Sequence, residues 1–312
     1  MTGQNIIIDG NFGYQQAKNF MKLILPNHVK KIKKHRDKLP LFVKEKIENI
    51  KNNLNNPKFK FIEHDVTVFK KIRCNYIFHL ACPASPVHYQ KDPVKTISTN
   101  VAGTLNILEL AKSNKSPVLF TSTSEVYGSA KYVPIDELNP KVGQSPYSAS
   151  KIGADMMADS YARCFSLPVV ILRPFNTYGP RHSERAVISS AIRQILDPRC
   201  DEIHLGSTKP KRDFNYVSDT VSAFILAGVN SGFDYGVPHN IGTGTSISIS
   251  EMIECLLKLT GSKKAIKTDE DRFRPEKSEV FNIPLKILKQ SNHFIDLSLI
   301  NISRCRPYSL CR

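Results

Sequence analysis

Tyr147 and Lys151 stand four positions apart in the text SPYSASK, a spacing that sets a phenol and an ammonium on one face of a helix, one turn apart. A free phenol ionises at about pH 10, so it needs a neighbouring cation to become a base near neutrality. Such a phenolate can take the proton of a hydroxyl while hydride leaves the same carbon. The spacing by itself arises by chance in many chains, so its context decides what weight it carries.

About twenty residues upstream, Thr121-Ser122-Thr123-Ser124-Glu125-Val126-Tyr127-Gly128 follows a predicted strand, and ligands of doubly wound folds bind at the carboxyl ends of parallel strands. Thr123 is suited to hydrogen-bond an oxygen undergoing oxidation, Ser124 to donate to a departing hydroxyl, and Glu125 to remove a proton alpha to a transient ketone. Taken alone, the same stretch also reads as a capped strand-to-loop turn.

The elements that must hold these groups are legible as short apolar runs alternating with helical periodicity up to about residue 175. The runs are Asn5 to Ile8, Tyr76 to Leu80, Val118 to Ser122 and Val169 to Arg173, and with helices over 100–112 and 151–164 they predict βαβ units. The fold class is α/β, a doubly wound (Rossmann) parallel sheet with a smaller C-terminal substrate-binding lobe. Residues 1–175 form the dinucleotide-binding domain, with 1–58 divergent. Residues 176–290 form mostly the lobe, with helices over 186–196 and 250–259. The segment 291–312 has no amphipathic period, ends in closely spaced Arg and Cys, and reads as an atypical, non-native tail.

The chain has 312 residues, is 41% hydrophobic and carries a net charge of +16. That length allows a large core. No run of about 18 apolar residues and no basic-then-apolar leader occurs, which predicts a cytoplasmic protein off the membrane. Seven scattered cysteines lack metal-site spacing, so no metal is expected and the thiols are read as reduced. Much of the charge falls in Lys30, Lys31, Lys33, Lys34, Arg36 and Lys38. Without interleaved aromatics, this run reads as a solvated surface and argues against a nucleic-acid partner.

STSEVYG followed by SPYSASK, RPFNTYGPR and RDFNYVSD resembles the extended short-chain dehydrogenase/reductases that act as nucleotide-sugar epimerases and dehydratases. The text TSTSEVYGSAKYVPIDE through RPEKSEV is most similar to N-acetylhexosamine-nucleotide 4,6-dehydratases of the legionaminic acid type, whereas His79 to Asn106 resembles UDP-glucuronate decarboxylases. Because the active helix reads Tyr-Ser-Ala-Ser-Lys, a NAD-dependent 4,6-dehydratase leads, with a decarboxylase or 4-epimerase as alternatives. The resemblance implies catalytic Thr123, Ser124, Glu125, Tyr147 and Lys151. It further implies that Gly10, Gly13, Asp65, Val66, His79, Leu80, Ala81 and Asn100 bind NAD, along with Tyr147 and Lys151. Asn176, Arg212 and Arg274 would contact a nucleotide-diphosphate sugar, the guanidinium fork pairing two oxygens. A homodimer is the implied assembly.

The chain departs from that family at its glycine loop, where Gln16 stands in place of the third glycine that lets helix and strand pack closely around a pyrophosphate. The acidic residue expected about twenty positions later is not evident, Asp37 being poorly placed. A catalytically impaired Rossmann paralogue is therefore a further alternative.

Overall fold

The computed structural model describes residues 6–8, 53, 56, 58–84, 86–229 and 233–269. Gly10, Gly13, Gln16, Asp37, the basic run, Arg274 and the tail 291–312 lie outside them. The described strands are β1 Ile6–Ile8, β2 Tyr76–His79, β3 Val118–Thr121, β4 Val169–Pro174, β5 Asn176–Tyr178, β6 Glu202–Leu205, β7 Lys211–Arg212, β8 Phe214–Tyr216, β9 Pro238–Ile241, β10 Ile247–Ser248 and β11 Ala265–Thr268. The helices are α1 Pro86–Lys91, α2 Pro93–Asn114, α3 Pro146–Phe165, α4 Val187–Leu196, α5 Val217–Val229 and α6 Ile249–Thr260.

The main sheet has the order β1-β2-β3-β4-β9, and β2, β3, β4 and β9 run parallel. Alternation along β3 and β4 explains why both faces are covered. Val118, Phe120, Val169 and Ile171 pack with Ile107, Leu108, Ala111, Ala154 and Ala158 of α2 and α3. Leu119, Val170 and Leu172 pack on the opposite face with Ala223, Phe224 and Ala227 of α5. A strand that is apolar on both faces is stable only between two helical layers, which confirms the doubly wound α/β class.

Two features differ from the sequence expectation. β1 lies beside β2 but runs antiparallel to it, with Ile6 opposite Phe78 and Ile8 opposite Tyr76. A run of three identical apolar residues reads the same in either direction, so the sequence does not encode a strand direction. The crossover helix α2 also begins earlier than its apolar periodicity suggests. α2 starts at Pro93 under an Asp92 cap whose side chain accepts from Lys95 N at 2.9 Å. α3 starts at Pro146 under a Ser145–Ser148 capping box. Caps and a first-turn proline set these starts, and neither contributes to an apolar pattern.

Beyond β4 the chain builds a second core in which Ile188, Ala191 and Ile195 of α4 meet Ile203 and Leu205 of β6 and Ile253 and Leu256 of α6. β6 pairs in parallel with β11. Two elements from the same stretch, α5 and β9, return to the main sheet, so sheet and lobe interleave along the chain. Gly103 of α2 faces Val66: a Cβ built there would lie 2.5 Å from Val66 Cγ2, and Asn106 Nδ2 donates to Val66 O at 2.8 Å. Replacing Gly103 by Ala is therefore expected to cost about 1–3 kcal/mol through overpacking against a short branched side chain. The measurement is the denaturant midpoint of the variant against that of the parent.

Candidate active site

β3 ends at Thr121, and the chain turns through a 3-10 turn, Ser124–Tyr127, capped by the Thr123 hydroxyl, which accepts from Glu125 N at 3.2 Å. Across from it the first turn of α3 carries Tyr147. The amino end of a helix bears partial positive charge, which favours an anionic oxygen nearby. The Thr123 hydroxyl and the Cys82 thiol both hydrogen-bond the Tyr147 side chain, and the Glu125 carboxylate acts on it electrostatically. The Tyr89 ring of α1 stacks on the Tyr147 ring at 5.9 Å and 9°. Thr123, Glu125 and Tyr147 therefore converge from β3, the turn and α3, while Ser124 is buried in the same turn.

The protein alone does not make the phenol more acidic. Burial, foremost, holds its pKa well above the usual value, with Cys82 and Glu125 adding to the shift and the Thr123 hydrogen bond opposing it. Lys151 lies one turn further along α3, but its ammonium donates to Thr121 O at 2.7 Å and sits 5.0 Å from the Phe120 ring centre. The lysine is anchored to the end of β3, so helical spacing alone did not determine where its charge acts.

The residues expected at the cofactor are distributed around this edge. His79 closes β2 with its ring buried against the Thr104 hydroxyl at 3.0 Å, whereas Leu80 is exposed and Ala81 buried. Asn100 Nδ2 donates to Ser150 Oγ at 2.8 Å, beside Lys151. Asp65 accepts from the amide and hydroxyl of Thr67 at 2.9 and 2.8 Å, which lowers its pKa, and Val66 is buried. Among the described residues, Asn100 Oδ1, Thr121 Oγ1, Ser122 Oγ and Asn176 Nδ2 are buried without hydrogen-bond partners. Unpaired buried polar atoms are costly, and four of them around one sheet edge fit a polar ligand such as a dinucleotide.

On the lobe side, β5 runs parallel to β8 with Asn176 opposite Phe214, and Asn176 N donates to Asp213 O at 3.1 Å. Arg212 belongs to the neighbouring β7, pairs with Ile247 of β10, and its side chain donates to Lys211 O at 2.9 Å. A cavity of about 260 Å³ opens at the end of β5, lined among others by Tyr178, Arg181, His182, Arg193 and Tyr216. Sequence reasoning missed Cys82, Tyr89 and Arg181, which carry no spacing signal. It also missed Asp213, which is fully buried and receives Thr243 N, Gly244 N and Thr243 Oγ1 at 2.7–3.0 Å. Asp213 directly follows the conspicuous Arg212, and an acid between an arginine and an apolar run is the signal that could have marked it.

A doubly wound α/β sheet with a phenol, a carboxylate and hydroxyls gathered at its carboxyl edge defines the extended short-chain dehydrogenase/reductase class. The chain belongs to the GDP-mannose 4,6 dehydratase family within that class, the family's model matching residues 13–303. It is 40% identical over 231 residues to UDP-glucuronic acid decarboxylase 3 of Arabidopsis thaliana, an alignment covering 72% of this chain and 66% of the relative. The chain spans about half to two thirds of the length of the decarboxylases it matches first, 51% of one and 66% of another. Among solved structures, it is similar to a UDP-N-acetylglucosamine 4-epimerase from Methanobrevibacter ruminantium in complex with UDP-N-acetylmuramic acid. That match has a TM-score of 0.70 and 25% identity, and covers 92% of this chain and 90% of the other. It is also similar to a dTDP-glucose 4,6-dehydratase from Streptomyces venezuelae with NAD and TYD bound, with a TM-score of 0.65, 26% identity and coverage of 74% and 72%. No helix among the described residues is long and apolar enough to cross a membrane.

Burial, with a smaller repulsion from Lys151, lowers the His79 pKa from 6.5 to about 3. The unfolded chain takes this proton near pH 6.5 and the folded chain does not until about pH 3, so the stability gained by keeping the ring neutral is full above 6.5. It is lost as pH falls toward 3. His79→Gln is expected to flatten the dependence of the denaturant midpoint on pH in that window, and an unchanged slope would contradict the assignment.

Proposed function

We propose that the protein is a NAD-dependent nucleotide-sugar 4,6-dehydratase. The observation that carries this reading is the placement of Thr123 and Glu125 in the turn that leaves β3, beside Tyr147 in the first turn of α3. An enzyme that must oxidise one carbon of a sugar and deprotonate its neighbour needs a phenol-type base and a carboxylate base a sugar carbon apart. Bound NAD supplies the hydride acceptor and, later, the hydride donor. Lys151, Asn100 and the chain at 79–81 would hold it, with Gly10, Gly13, Asp65 and Val66 assigned to its adenosine diphosphate part.

Tyr147 takes the proton of the sugar 4-hydroxyl, and Thr123 hydrogen-bonds the same oxygen. Because burial keeps the phenol neutral in the protein alone, its ionisation depends on positive charge arriving with the ligand, which couples chemistry to a filled site. Glu125 then removes the proton alpha to the ketone, and Ser124 hydrogen-bonds the departing 6-hydroxyl. Asn176 of β5, Arg212 of β7 and Arg274 would bind the diphosphate. The cavity beside Tyr178 and Tyr216, with Arg181 and Arg193 in its wall, suits the nucleoside.

UDP-glucuronate decarboxylation is the second reading, favoured by the 40% identical relative. There the same ketone would drive loss of a carboxylate as carbon dioxide. Incubation with UDP-glucuronate and with UDP-N-acetylglucosamine separates the two: a 4-keto-6-deoxy sugar from the second supports the dehydratase, and a pentose nucleotide from the first replaces it. Glu125→Gln is expected to lower kcat for elimination by about a hundred- to ten-thousand-fold with KM little changed. Unaltered turnover would refute the role.

A homodimer is part of the proposal. Val94, Ile97 and Leu105 form an exposed stripe along α2, and Met156 is exposed on the neighbouring α3; a second copy covering this face would bury it. Ile97→Glu with Leu105→Glu is expected to convert a dimer to monomer in sedimentation equilibrium, and a monomeric parent would overturn this part.

A further inference from the structure

The Tyr147-bearing helix and the Glu125-bearing turn are joined behind the site by one buried polar chain. Arg173 of β4 is 0% exposed and donates through Nε and Nη2 to Asp155 Oδ2 of α3 at 3.0 and 2.7 Å. Its third donor, Nη1, reaches the Tyr127 hydroxyl at 2.8 Å. Tyr127 in turn donates to Asn240 Oδ1 of β9 at 2.6 Å, and Asn240 N donates to Glu137 Oε1 at 2.8 Å. The guanidinium carbon also lies 5.1 Å from the centre of the Tyr127 ring.

The placement matters more than the count of bonds. Asp155 is one turn beyond Lys151 and two beyond Tyr147, so it lies on the same side of α3. Tyr127 ends the 3-10 turn two residues after Glu125. Backbone bonds hold that turn, Gly128 N to Glu125 O at 3.2 Å, Val126 N to Thr123 O at 3.4 Å and Val142 N to Val126 O at 2.8 Å, and Val126 and Tyr127 are fully buried with Ile135 and Phe175, with Ile152 of α3 packed against them. Apolar packing of this kind is non-directional, so it sets how near turn and helix lie more than how they are oriented. Arg173, held inside β4, is bonded to both.

From this we infer that Arg173, Asp155 and Tyr127 are positioning residues that fix the Glu125 carboxylate relative to the Tyr147 phenol. None of them is placed at the substrate. A buried ion pair is seldom retained for stability, since apolar residues of similar volume often serve as well. What it does supply is direction, because a planar fork with three used donors admits one arrangement of its two partners. The inference rests on the proposed roles of Tyr147 and Glu125.

Two variants of the full chain test it. Tyr127→Phe removes one oxygen and keeps the ring. Asp155→Leu with Arg173→Met removes the pair together and leaves no lone buried charge. Amide hydrogen exchange of 124–128 is expected to rise by about tenfold in both variants, while amides of β3 and β4 remain as protected as in the parent. In turnover, kcat is expected to fall by at least about fivefold in Tyr127→Phe, which removes the hydroxyl's bonds to both Arg173 and Asn240. It should fall further in the double variant, with KM held within about threefold in each.

A merely structural role predicts instead that the double variant, once its melting temperature matches the parent's, regains the parent's kcat; that result would overturn the inference. Unchanged exchange at 124–128 would overturn it too, whatever the activity. If the parent itself turns over no nucleotide sugar, the proposed function fails separately, and exchange still decides whether the buried chain holds the turn.

Discussion

Both faces of β3 and β4 are apolar and both are covered, Phe120 and Ile171 under α2 and α3, Leu119 and Leu172 under α5. Polar groups carried by these strands therefore have one way out, the strand ends, and because the strands are parallel their carboxyl ends coincide. Thr121, Ser122 and Thr123 leave β3 there, and Asn176 follows the end of β4 at the same edge. The site is a consequence of that constraint: a sheet closed on both sides forces its chemistry to one rim. The capped amino end of α3 arrives at this rim with Tyr147 in its first turn.

Desolvation sets the electrostatics of the rim. It holds Tyr147 neutral and keeps His79 uncharged down to about pH 3. The main fixed cations of the region are spoken for, Lys151 by a backbone carbonyl and Arg173 by Asp155. In the protein alone Tyr147 and His79 are thus held in their uncharged forms, and Lys151 and Arg173 are committed to structural bonds. Such an arrangement discourages proton transfer before the site is filled.

The comparisons are consistent with this chemistry and divide over its outcome. The family model is that of a 4,6 dehydratase, relatives at 38–40% identity are named decarboxylases, and solved neighbours include an epimerase. Oxidation of one sugar carbon is common to the three outcomes, and what happens next depends on which substituent sits at the neighbouring carbon and which side chain meets it. On the proposed roles of Glu125 and Ser124, that is a property of a few contacts around these two side chains, and the fold is indifferent to it.

The sequence by itself determined the alternation of strands and helices over 76–175, the tyrosine and lysine on one helix, and the carboxylate after the third strand. Each is a local pattern, written in period 2, period 3.6 or a cap. Tertiary structure decided the rest. The direction of β1 could not be read from three isoleucines. The partner of Lys151 depended on where β3 ended, and the stacking of Tyr89 on Tyr147 on where α1 docked. The Arg173–Asp155–Tyr127 chain links residues far apart in sequence, and Asp213 gained its role only when the 243–244 loop folded onto it. Burial is the physical reason: it sets how strongly the Tyr147 phenol resists ionisation, and burial belongs to the packed molecule, not to any segment of its chain.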